Sequence, residues 1–495
     1  MSRFSPGLPL AVILLFSSAA PQAAPAPDTP PPEVCAACIR EHLDYLASDQ
    51  LRGRGSATPD ELTAAKYIAA ELHKYGVPPA GDRGGYIQHV TLIKRTVIAP
   101  PRLVWRRGYA PPGSKETHSS ESQASANAPI PKPVVWTHGK EMLVLRLARA
   151  RITGPLQKID LAGEPKPVNR GAMVFLDAHG GNPRAAAVKV MEQGAAAVLV
   201  PEYPQVREHW QQSAGRLPKL ATEVVGVSPG SEGMEMNLVA LSKEAASTLE
   251  DVPEGTEIRL RAPTSLPVIS HTRNVVGEIR GSDPALAQAA ILLSAHMDHL
   301  GVGAPVNGDS IYNGADDDAS GTTAVLELAR VLAAGPRPRR TVIFALFGSE
   351  ELGGLGSTYF REHPPLPLRD LAANLEFEMI GRGDPAVPEN TLWLTGWERS
   401  NLGPVLAEHG ARLVGDPHPA EDFFARSDNY VLAQKGVVAQ TVSSYGLHGD
   451  YHQPSDDVAH IDFKHMDEAI GSLLGPVEWL VNSDFRPEWK AGGRP

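Results

Sequence analysis

Only two cysteines, Cys35 and Cys38, occur in the 495 residues. That scarcity excludes a disulfide-built scaffold and argues against a redox or zinc role for the pair, since no second ligand pair lies nearby. Positive charge is also short: 46 Lys and Arg stand against 57 Asp and Glu, a net charge of −11. Binding a phosphate backbone or an anionic membrane needs a basic patch, and none is visible, which argues against nucleic acid as a partner. Long apolar runs are missing as well. The one near the N-terminus, Leu8 to Phe16, is too short to span a bilayer, and no later run suffices for a transmembrane segment.

That N-terminal run follows Arg3 and precedes the small residues Ser17, Ser18, Ala19 and Ala20. The pattern reads as a secretory signal peptide over residues 1–24, cleaved between Ala19 and Ala24, and predicts a secreted or periplasmic protein. In such a compartment Cys35 and Cys38 are expected to form one local disulfide. The remaining length is too great for one core, so two domains are expected. Residues 58–76 have the marks of a helix: Thr58 as N-cap, Pro59 in the first turn, Glu61 three residues after the cap and Gly76 as the stop. Residues 109–133 are rich in Ser, Pro, Ala and Gly without periodicity and read as a long surface connection. The expected division is an N-terminal part of one domain over 30–132, a small β-rich insertion over 133–265, and the rest of the first domain over 266–495. Within the insertion, the isolated His138 and His179 are expected at the surface. After Thr272 strand-like and helix-like stretches alternate, which predicts an α/β fold with a mostly parallel central sheet flanked by helices.

Chemistry concentrates where predicted strands end. Ile291 to Ala295 reads as a buried strand followed by His296 and Asp298, and open α/β sheets bind ligands at that edge. Three consecutive aspartates follow, Asp316, Asp317 and Asp318, and their mutual repulsion is costly unless they are solvated or neutralised. The apolar run from Thr341 to Phe347 leads into Glu350 and Glu351. The run from Leu375 to Ile380 carries Glu376 and Glu378, and a buried strand tolerates a carboxylate only if it is paired, capped or metal-bound. Near the C-terminus His448, Asp450 and His452 alternate. Histidines with several carboxylates suit zinc held by nitrogen and oxygen. The carboxylates outnumber what one tetrahedral ion needs, which points to two metal ions, a shared aspartate and a spare glutamate acting as base.

Five ordered motifs, SAHMDHLG, NGADDDASG, FGSEELGGLGS, ANLEFEMIGR and DYHQPSD, resemble those of the di-zinc metallopeptidases that include bacterial leucyl aminopeptidases and plasma glutamate carboxypeptidase. The phrase RAAAVKVMEQGAAAVLV, with GAMVFL before it, resembles the protease-associated domain inserted in several exported peptidases. The resemblance implies a zinc exopeptidase acting on peptide substrates, aminopeptidase favoured, with a carboxypeptidase or dipeptidase as the alternative and a glutaminyl cyclase or a non-catalytic binding protein behind them. It further implies one zinc ion on His296 and Glu378, another on Glu351 and His452, and Asp317 between them. Glu350 matches the general base, Tyr451 a tyrosine near the reacting carbonyl, and Asp298 an aspartate that holds His296 in its tautomer. Glu378 departs from the aspartate usual in that position, which leaves occupancy of the second ion open. Glu376 is expected to cap a helix or pair with a cation, and His299 and His448 to lie behind the ligands or at the surface. Arg382, Arg399 and Arg426 are candidates to bind a substrate carboxylate.

Overall fold

A computed structural model describes residues 1, 33–106, 132–163, 166–179, 182–227, 236–286 and 288–495. The expected signal peptide, and nearly all of the connection over 109–133, lie outside the described residues. Among the described residues no helix is long and apolar enough to cross a membrane.

Two large sheets organise the chain. The first has nine strands, and its four central ones, Val438–Ser443, Leu371–Phe377, Ala290–His296 and Val342–Phe347, are adjacent and parallel. Antiparallel pairing flanks them: Val268–Ile279 joins Val342–Phe347 on one side, and Leu392–Leu394 joins Val438–Ser443 on the other. The central strands read as unbroken apolar runs because both of their faces are covered. Ile291, Leu293 and Ala295 pack into one cluster with the helices Pro59–Lys74, Gly321–Ala334 and Phe463–Asn482. Ala290 and Leu292 point the other way, into a cluster with Phe360 and Leu432. The two-residue period thus assigns alternate side chains to two cores.

The second sheet has eight strands, ordered Pro133–Thr137, Arg102–Arg106, Glu257–Arg261, Arg151–Asp160, Met173–Asp177, Ala197–Pro201, Leu238–Leu241 and Met142–Arg146. Arg102–Arg106 therefore belongs to this sheet, and the boundary expected at residue 133 falls inside it. His138 is buried, not at the surface: its Nε2 meets the Arg216 carbonyl and its Nδ1 accepts from Val144 N–H. His179 is exposed, as expected, with its Nε2 2.6 Å from Asp160 Oδ1.

Local signals in the sequence correspond to local structure. Thr58 Oγ1 accepts from the amides of Asp60 and Glu61, while Glu61 Oε2 accepts from Ala57, one residue before the cap. The helix stops before Gly76 at φ +79°, a left-handed conformation that glycine adopts without strain. Cys35 and Cys38 form a disulfide at the start of the helix Ala36–Leu46.

Candidate metal centre

The four parallel strands deliver their C-terminal ends to one edge, and each contributes to a single cluster. His296 ends its strand, Glu350 and Glu351 follow Phe347, Glu378 follows Phe377, and His448 and His452 lie beyond Ser443. The glycine before Ser349 is required sterically: a Cβ on Gly348 would collide with the Arg273 carbonyl, Glu61 and Thr272. Gly314, at φ +61°, likewise lies against the His299 ring and the Asp317 carbonyl, leaving no room for a side chain.

Asp317 is the centre of the cluster. Its Oδ1 is 3.2 Å from His296 Nε2, and its Oδ2 is 3.2 Å from His452 Nε2 and 3.8 Å from His299 Nδ1. Glu351 lies 2.8 Å from His299 and 3.3 Å from His452. Two groups of potential ligand atoms, each lying within 4.8 Å of one another, share this aspartate: His296, Asp317 and Glu378 form one, His299, Asp317 and Glu351 the other. His296 Nε2, both His299 nitrogens and Glu351 Oε1 are buried yet make no hydrogen bond. Buried polar atoms without partners are costly, and imidazole nitrogens and carboxylate oxygens converging on one point are the donor set of a zinc site. These residues therefore fit the metal.

The flanking aspartates do different work. Asp316 accepts from Gly381 N–H and from His448 Nε2 at 2.8 Å, while Asp318 accepts from the amides of His296, Gly321 and Met379. Asp456 accepts from the amides of Asp316 and Asp317. The triplet is thus one inward-facing carboxylate held by two that stitch the turn to its neighbours. Arg54, fully buried, donates to the carbonyls of Leu46, Met297, Asn313 and Gly314 and sets a positive charge beneath these acids.

Charges follow from this crowding. Burial opposes ionisation of Asp317, but the surrounding His296, His299 and His452 outweigh it and hold the carboxyl well below its usual range. Burial and neighbouring anions push Glu378 up to about 8, even though His296 lies close by. Burial raises Glu350 well above the ordinary carboxylate range, with Asp428 and Glu378 adding to it despite an opposing influence from His296. Burial would lower His452, but Asp317 and Glu351 win and bring it to about 10.

Two placements differ from those read from the sequence, His299 and Asp298, while Glu376 caps a helix start as expected. His299 is fully buried between Asp317 and Glu351, inside the cluster instead of behind it or at the surface. Its spacing, three residues after His296 at a strand end, was the available signal. Asp298 does not hold His296 through its carboxylate, which is 3.8 Å from His296 Nδ1; that nitrogen is nearer the Asp298 backbone carbonyl, at 3.2 Å. The carboxylate instead accepts from Ser56 Oγ and from the amides of Glu350 and Glu351, fixing the turn that carries both glutamates. Glu376 accepts from Ser427, Thr441 and the amides of Asp428 and Asn429, at the start of the helix Asn429–Ala433. Arg54 and Ser56 were missed because a buried arginine and a serine in an irregular segment carry no periodic signal.

A pocket opens beside the cluster, reached by Asp317, Glu350, Glu378 and His452 and walled by Trp393, Phe423, Tyr445, Tyr451 and Arg426. Tyr451 stacks on His452 with ring centres 3.8 Å apart.

Residues 274–474 match Peptidase family M28. Aminopeptidase YwaD of Bacillus subtilis is 25% identical over 280 residues, covering 54% of this chain and 56% of that protein. The probable lipoprotein aminopeptidase LpqL of Mycobacterium tuberculosis is 24% identical over 276 residues, 48% of this chain and 50% of its own. The chain thus spans about half the length of these curated relatives. Among solved structures, an aminopeptidase from Aneurinibacillus sp. strain AM-1 aligns with 91% of this chain and 95% of its own at 17% identity and a TM-score of 0.47. Over residues 274–474, the chain is thus similar to peptidase family M28.

Proposed function

We propose that the protein is an exported zinc exopeptidase that removes N-terminal residues from peptides, with two metal ions per chain sharing Asp317. The observation that carries this reading is the convergence of two ligand groups on that one buried aspartate. His296 and Glu378 would hold one ion and Glu351 with His452 the other, and His299, which belongs to the second ligand group, stands beside Glu351 as a further candidate. Bound there, the ions supply Lewis-acid chemistry, a water of lowered pKa and a polarised scissile carbonyl.

The chain's own residues supply the rest. Glu350 sits at the pocket with no hydrogen bond to its carboxylate among the described residues, so it is free to take the water's proton and return it to the leaving amine. Glu351, its neighbour, is held among histidines as an anion, below its usual range although burial opposes this. Asp298, bonded to both backbone amides, keeps the two glutamates in these separate roles. The Tyr451 hydroxyl, at the same pocket, donates to the oxygen that gains charge as the carbonyl becomes tetrahedral. The N-terminal apolar run supports export.

The test is hydrolysis of unblocked aminoacyl anilides by the purified mature chain, before and after exhaustive chelation, with metal content measured by mass spectrometry. Two equivalents of zinc and loss of activity on chelation are expected. Activity in a metal-free sample would refute the proposal.

A further inference from the structure

Of the three arginines that the sequence offers as carboxylate binders, two are committed. Arg382 is 2.7 Å from Asp450 and 3.7 Å from Asp456. Arg399 lies over the Phe424 ring and donates to the Gly493 carbonyl. Arg426 is different. Its guanidinium stacks over Phe423, 4.9 Å from the ring centre, and makes no side-chain hydrogen bond among the described residues. Its nearest anion is the half-exposed Glu421 at 3.6 Å, and such surface pairs are weak.

The pocket around it is polarised. At one end stand Asp317, Glu350 and Glu378; Arg426 is the one Lys or Arg among the residues that line it. Between them runs an aromatic wall: Trp393 stacks on Phe423, Phe423 meets Tyr445 edge-on, and Tyr445 leans on Tyr451. Most other polar groups of the wall are already used. Trp393 Nε1 donates to Asp384, Thr441 Oγ1 to Glu376, Ser443 Oγ to the Met379 carbonyl, and Thr395 Oγ1 accepts from Thr441 N–H. Arg426 thus brings a guanidinium with no side-chain hydrogen bond among the described residues, and only the weak Glu421 pair, to a cavity that Asp317, Glu350 and Glu378 also line.

We propose that Arg426 is a specificity-determining residue that binds a carboxylate of the substrate. The proposal rests on the peptidase reading above. An arginine fork matches a carboxylate in two parallel hydrogen bonds, and the aromatic face beneath it holds the fork in plane. The carboxylate has two sources: the side chain of an acidic N-terminal residue, whose α-amine would sit at the acidic end, or the free C-terminus of a short peptide. Glu421 competes for the same guanidinium and moderates the preference.

The experiment uses the zinc-loaded full chain and isosteric pairs. One arm compares α-glutamyl with glutaminyl anilide; the other compares Leu-Leu with Leu-Leu amide. In whichever arm carries the preference, Arg426→Ala should lower the kcat/KM ratio of charged to neutral substrate by about ten- to a hundredfold, as loss of a charged hydrogen bond predicts. Arg426→Glu should reverse that ratio, and Glu421→Gln should raise it. Binding of L-glutamate against L-glutamine, and of Leu-Leu against its amide, is measured in parallel by titration calorimetry. If no peptide is cleaved but carboxylate binding still depends on Arg426, the peptidase reading fails and this inference stands. Ratios and affinities unchanged within about threefold in both Arg426 variants, with zinc content equal to wild type, would overturn the inference and leave the peptidase reading intact.

Discussion

Replacing Arg54 with Met tests how far the candidate site depends on a residue outside the family-matching region. The guanidinium donates at 2.9 Å to Met297, 2.6 Å to Leu46, 2.6 Å to Asn313 and 2.8 Å to Gly314. Met fills much of the volume but leaves the buried carbonyls of Leu46, Met297 and Asn313 unpaired, while Gly314 keeps the Ala319 amide; each unpaired carbonyl costs about 1–3 kcal/mol when no water replaces the donor. It also removes the cation that faces Asp298, Asp318, Asp456 and Asp317. Taking the lower figure for each of the three carbonyls gives roughly 3 kcal/mol, at the lower edge of the range of about 3–5 kcal/mol seen when one partner of a buried charged group is removed. Arg54→Lys keeps the charge but not the fork and should lose about half as much. Urea denaturation of the metal-free chain, read by hydrogen exchange in peptides from 290–347 so that the second sheet does not mask the effect, measures the loss. A midpoint within about 1 kcal/mol of wild type for Arg54→Met would refute the reasoning, because those carbonyls would then have another donor.

Glu350→Gln should keep the fold and both metal equivalents while lowering kcat at least about a hundredfold, the usual contribution of a general base; near-normal turnover would move that role elsewhere. Glu378→Ala should strip or weaken one ion, Glu378→Asp should restore it in part or in full, and Glu376→Ala should leave both; metal stoichiometry decides, and the opposite pattern would reassign the ligand. The metal-free chain should lose stability as pH rises from about 5 to 8. Burial brings Glu61 and Glu378 to about 8, and Glu376, Asp428 and Asp456 to about 7, so the folded state holds protons that the unfolded state has released above its ordinary carboxylate values. His452, at about 10, acts in the same direction. Added zinc should therefore raise the melting temperature more at pH 8 than at pH 6, and a flat or rising profile for the metal-free protein would contradict the burial of these acids.

Features with a local cause were legible in the sequence. The helix cap at Thr58, the stop at Gly76, the disulfide and the apolar central strands depend on neighbours in the chain or on a short period. The clustering of His296, Asp317, Glu350, Glu351, Glu378 and His452 was reachable because parallel strands all end at one edge. What escaped depends on long-range geometry. His299 enters the cluster only through the turn after its strand, and Asp298 turns its carboxylate to Ser56, 242 positions away. Arg102–Arg106 pairs with Glu257–Arg261 across the insertion, a partnership no window of sequence displays. The value of Arg426 likewise lies in what its neighbours leave unbonded.

The same pairing constrains how the chain can assemble. In the first sheet Lys94 lies opposite Val268, and in the second Arg102 lies opposite Arg261, so the excursion between the sheets departs and returns on adjacent strands. To the first sheet, what lies between those positions, apart from the short edge strand Glu223–Val224, is the loop of a hairpin. Closing a loop of that length costs entropy that grows only as its logarithm, and a folded excursion with neighbouring ends removes most of the cost. The N-terminal segment carrying Arg54 and Ser56 then meets the strand ending in His296 as though the two were close in sequence. A chain shortened to a tight turn between Lys94 and Val268 keeps that meeting, and gives up the short pairing of Glu223–Val224 along the edge of Ile87–Lys94.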